Sequence, residues 1–72
     1  MQGIKAPYVL SHLRRLEPGF LVEVARYIFP ADSHSHAIAE AEARIAETFD
    51  DRMDYVPLWH GVELIWERGA RD

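Results

Sequence analysis

The chain contains no cysteine. That excludes disulfide staples, thiolate zinc sites and cysteine nucleophiles together, and it fits a reducing compartment. Glycine and proline are sparse, four of each, and no low-complexity tract or linker divides the 72 residues. Long apolar runs are missing as well: "MQGIKAPYVL" and the later apolar stretches are short and interrupted. Neither a membrane span nor a secretory leader is expected from them. Basic residues are the minority, eight Lys and Arg against twelve Asp and Glu, for a formal net charge of −4. Affinity for nucleic acid rests on neutralising phosphates, so general nucleic-acid binding is disfavoured.

What is present suits one small globular domain over residues 1–72, with 49% hydrophobic residues. These properties predict a soluble, cytoplasmic protein. A chain of this size buries only about 60% of its unfolded surface. Small domains usually make up the deficit with disulfides, a metal or a partner, and the first route is closed here.

Three segments carry the architecture. "GFLVEVARYIF", Gly19 to Phe29, is β-branched and aromatic and reads as a strand. Arg26 interrupts its first apolar face, which points to an edge or a bulge, and Pro30 stops it. From Ser33 to Asp50, Ile38, Ala41, Ile45 and Phe49 recur at helical spacing, with Glu40 and Arg44 paired on the wet side. "YVPLWHGVELIWE" reads as a hairpin, Tyr55 to Trp59 and Val62 to Glu67, turning at His60-Gly61. Pro57 places its strand at a sheet edge. "APYVLSHLRRLEPG" fits a short helix starting at Pro7 better than an extra strand, because Leu13, Leu16 and the two arginines do not alternate. A Pro18-Gly19 turn stands in either case. The expected fold is therefore α+β: a two-layer domain of about three strands, antiparallel or mixed, packed by one long amphipathic helix, with a short N-terminal helix or an extra strand.

The motif that raises a chemical question is "ADSHSHAIAEAE", Ala31 to Glu42. His34 and His36, joined by His12, His60 or Asp32, are candidate metal ligands. In a helix, residues two apart point about 200° apart, so the pair converges only if the helix starts late. Otherwise Asp32, Ser33 or Ser35 caps the helix and the imidazoles simply occupy its first turn. No nucleophile motif, glycine-rich phosphate loop or paired carboxylates appear, so no catalytic residues and no cofactor are expected. Arg14 and Arg15, with Lys5 and Arg26, form the one basic concentration, too small to make an acidic chain an RNA binder. The acidic concentration is larger: Glu40, Glu42, Glu47, Asp50, Asp51 and Asp54. Such a surface suits a protein partner with a basic groove. Trp59 and Trp66 are candidate anchors for that contact, and self-association through an uncovered sheet face is a variant.

Taken together, "GFLVEVARYIF", "HAIAEAEARIAETF" and "VELIWE" give a strand, an alanine-glutamate helix and a closing strand. In size, charge and layout the chain resembles small phage and mobile-element inhibitors of the anti-CRISPR type. That resemblance implies a non-enzymatic domain that blocks a nucleic-acid-handling complex by direct protein contact.

Overall fold

The computed structural model describes residues 6–17 and 19–69; Lys5 and Pro18 lie outside them. The first element corrects the sequence reading. Of the two readings of the N-terminal segment the favoured helix is overturned and the strand holds: β1 (Tyr8–Glu17) turns through Gly19 into β2 (Phe20–Phe29). The helix α1 (His34–Ile45) follows, and then β3 (Asp54–His60) and β4 (Glu63–Gly69). All four strands form one antiparallel sheet in the order β2-β1-β3-β4. The class is still small α+β, but three strands under one long helix become four strands with a 12-residue helix on one face.

β1 hides its alternation because polar residues occupy inward positions. Tyr8, Leu10 and His12 are buried in turn, and Arg14 follows on the same face. His12 and Arg14 are accommodated because Asp54, across the β1–β3 pair, accepts from both. β2 lies at the edge and carries a bulge: His12 faces Ala25 and Leu13 faces Glu23, which leaves Val24 unmatched.

The helix is shorter than the Ser33 to Asp50 span that periodicity predicts. Beyond Ile45 the backbone finds other partners. Arg14 Nη2 donates to the Thr48 carbonyl at 3.3 Å, and the Asp50 amide donates to Asp54 Oδ2 at 2.9 Å. Groups that would have continued the helical ladder are thus satisfied by β1 and β3.

Pro57 is not at an edge, because β3 runs between β1 and β4. The sheet tolerates it through a gap: β1–β3 pairing passes from Leu10↔Leu58 to Leu13↔Tyr55, unpaired opposite Pro57. The missing proline amide therefore costs no bond to β1. The β3–β4 turn lies one residue later than expected, at Gly61-Val62, with Gly61 at φ 65°. At the other end of β4, a Cβ on Gly69 would lie 2.1 Å from the Asp54 carbonyl oxygen, so only glycine fits that approach.

The core lies between α1 and one face of the sheet. Ala37, Ala41 and Ile45 meet Tyr8, Leu10, Phe29, Val56 and Leu58, with Tyr27, Ile65 and Trp66 packed around them. Small residues at Ala37 and Ala41 let the helix sit close to the strands. Arg44 lies over the Tyr27 and Phe29 rings at 5.3 and 5.1 Å and closes one rim of this layer.

Candidate functional site

Ser33 is the N-cap of α1, its side chain accepting from the His36 amide at 3.1 Å. His34 and His36 therefore stand in the first turn and part company. The His36 ring turns back, and its Nδ1 accepts from the Asp32 amide at 3.3 Å. His34 Nδ1 shares a 2.9 Å hydrogen bond with the Tyr8 hydroxyl. Tyr8 in turn stacks on His60, with ring centroids 4.2 Å apart and planes 10° apart, and the His34 and His60 rings meet edge-on at 5.6 Å. His60 Nε2 donates to the Ala6 carbonyl at 3.1 Å. These rings line a shallow cleft of about 430 Å³ with Ala31, Asp32 and Ser33. The cleft holds imidazoles and a phenol, but the Ser33 hydroxyl is committed as a cap. Among the described residues, no three or more His, Asp or Glu side chains are placed to hold a metal ion.

His12 lies far from that cleft, inside the sheet. It is 2% exposed, as is Asp54. His12 Nε2 donates to Asp54 Oδ2 at 2.6 Å, and Arg14 donates to the two carboxylate oxygens at 2.8 and 3.1 Å. Burial pushes the Asp54 carboxyl up, but the bonds from Arg14, His12 and the Asp50 amide outweigh it and hold it well below the usual carboxylate range. An ionised carboxylate can only accept, so His12 carries its proton on Nε2. The same contact raises the Arg14 guanidinium above its ordinary value. This triad is a closed network with every Asp54 oxygen engaged, and it acts by locking β1 to β3.

The residues expected to contact a partner are divided. Glu40 is paired with Arg44 at 3.0 Å. Glu42, Glu47, Asp50 and Asp51 are exposed on α1 and the turn after it, while Asp54 is withdrawn into the core. Trp66 pairs with Leu58 and packs on the core beneath α1. Trp59 pairs with Val9, one position out of phase with the buried Tyr8, so it stands on the opposite face of the sheet. The two tryptophans cannot anchor one contact.

That opposite face is the larger feature. Register brings Val9, Leu13, Leu21, Ile28, Trp59 and Leu64 onto it, and puts Tyr27 and Phe29 under the helix instead. Ile28 is 63% exposed, and Val9, Leu13, Leu21, Trp59 and Leu64 are half-buried. Among the described residues no helix or strand lies over this face. Its polar groups are few: Ser11, Arg15, the Glu23–Arg26 pair at 3.1 Å, and Glu67, which accepts from the Tyr55 hydroxyl. Hydrogen bonds from Arg26 and Ser11 hold the Glu23 carboxyl below its ordinary value. The signal for the face was present: β1 and β2 both carry apolar residues at odd and even positions. No helix of the described residues is long and apolar enough to cross a membrane. Compared with known proteins, the chain matches no family model, no curated protein and no solved structure, so the bare sheet face is where a functional reading starts.

Proposed function

We propose that this chain is a non-enzymatic protein-interaction module whose docking surface is the sheet face turned away from α1. The observation that carries the reading is that face itself: six large apolar side chains spread over all four strands, with no helix or strand over them among the described residues. Contiguous apolar surface of this kind marks protein contacts more often than scattered exposed residues do. The exposed acids Glu42, Glu47, Asp50 and Asp51 supply long-range attraction to a basic partner, which raises association rate more than affinity. In its sharpest form the module inhibits a nucleic-acid-handling complex, whose basic phosphate-binding surface the acids draw in from a distance while the bare face makes the contact. Capture from the host's lysate, repeated with variants, tests the reading. Wild-type chain should retain a partner that Ile28→Glu loses, and the Glu47→Lys/Asp51→Lys pair should weaken retention most at low salt. A partner held equally by wild type and Ile28→Glu removes the sheet face from the function.

A further inference from the structure

We propose that the bare face is where a second copy of this chain docks, sheet against sheet, giving a symmetric dimer layered helix–sheet–sheet–helix. The proposal rests on the reading of that face as a docking surface and names its occupant.

Three observations favour a second copy. The first is surface. The 8.3 kDa chain exposes 5062 Å², against roughly 4,600 Å² for a compact monomer of that mass. Its radius of gyration is 12.9 Å where about 11 Å is usual for 72 residues. The excess, about 500 Å² by that scaling, goes with an elongated form, 48 × 22 × 16 Å, that leaves the sheet open rather than wrapped. Four strands about 4.8 Å apart, rising about 3.3 Å per residue, span roughly 500 Å² in plan. Side-chain relief carries the accessible area towards the roughly 800 Å² per partner of a stable interface.

The second observation is charge. Each chain carries −4, so two copies repel unless their acids are kept apart. Stacking the bare faces puts Glu42, Glu47, Asp50 and Asp51 of each copy on opposite outer layers. With layers about 10 Å thick the two helices lie about 30 Å apart, several Debye lengths at physiological salt. The face itself does not repel its own image, because Glu23 and Arg26 already neutralise one another.

The third is unfinished polar chemistry. Arg15 pairs with Leu21 and so belongs to this face. Its Nη2 is out of water without a hydrogen-bond partner among the described residues. That atom is enclosed by its own chain, so a second copy satisfies it only by drawing the Arg15 side chain outwards to an acceptor across the contact. Edge-to-edge pairing through β2 fits less well, since the bulge at Val24 twists that edge away from a flat ladder.

Sedimentation velocity on the pure full chain, from low to high micromolar concentration, tests the proposal. The expected result is a dimer for wild type and a monomer for Ile28→Glu with an unchanged circular-dichroism spectrum. Because symmetry counts each change twice, the dissociation constant should rise by about 100-fold or more. If Ile28→Glu fails to fold, Ile28→Ser serves, with a rise of about tenfold or more expected. A wild type that stays monomeric at high micromolar concentration overturns the proposal. So does a dimer that neither Ile28→Glu nor Leu64→Glu weakens. A monomeric wild type whose heterologous partner is still lost on Ile28→Glu would leave the docking surface standing and remove only the second copy.

Discussion

Leu10, Val56 and Leu58 are wholly withdrawn from solvent on one face of the sheet, while Ile28, on the other face, is 63% exposed. The same strands and the same residue types build both faces. What separates them is mainly a layer: α1 covers one, and among the described residues no helix or strand covers the other, where Tyr55 on the central strand β3 is still buried while Ile28 on the edge strand β2 is open. Apolar alternation therefore says that a strand has something to bury, and leaves open where the cover comes from. The covered face also shows the condition on which polar groups enter a core. His12 and Asp54 are each 2% exposed there, and they are tolerated because the hydrogen bonding around Asp54 is complete.

The largest way to break the contrast is to open that network. Asp54→Ala should destabilise the chain by about 3–5 kcal/mol in urea unfolding, since it strands a buried imidazole and a guanidinium. A loss below 1 kcal/mol would mean that water replaces the carboxylate readily. The same group predicts acid sensitivity. Its folded value is depressed, so its contribution is fully present above the unfolded value of about 3.9 and is lost as pH falls below that value. Melting temperature should drop through this range in wild type and stay flatter in Asp54→Asn.

Leu58→Ala, on the covered face, comes next, at about 3 kcal/mol, because the cavity lies in a packed layer. Ser33→Ala should cost about 1 kcal/mol through loss of the α1 cap, with Ser33→Gly nearer a few tenths. The smallest effect belongs to the bare face. Ile28→Ser should change the stability of dilute protein by no more than about 0.5 kcal/mol. An effect there as large as that of Leu58→Ala would show that the two faces are equally covered, and the comparison would collapse.

Much of this was legible in the residues. The β2 strand, the start of the helix, with its cap narrowed to Asp32, Ser33 or Ser35, and the final hairpin follow from local signals, and local signals are what single residues carry. The errors arose where a distant partner decided the outcome. His12 and Arg14 look wrong for the inward face of a strand until Asp54 is known to lie opposite, forty-two and forty residues away. Pro57 reads as an edge residue until the β1–β3 ladder is seen to part around it. Trp59 and Trp66 look like one aromatic patch because their spacing ignores a bulge between Leu58 and Trp59, which resets the β4 register. His34 was readable as a first-turn residue, but its meeting with Tyr8 and His60 comes from strand order alone.

The gap at Pro57 bears on how the chain assembles. The sheet is two local hairpins, β1–β2 and β3–β4, joined along a seam that has no pairing at its middle. Each hairpin closes over a few residues, whereas the seam must close a loop from Arg14 to Asp54, so it carries most of the chain-closure entropy. Asp54 is the fastener at one end of that seam and the stacked Tyr8 and His60 rings are the fastener at the other. Closing this one strand pair from its two ends is the long-range step of the topology, while the hairpins on either side need only local closure.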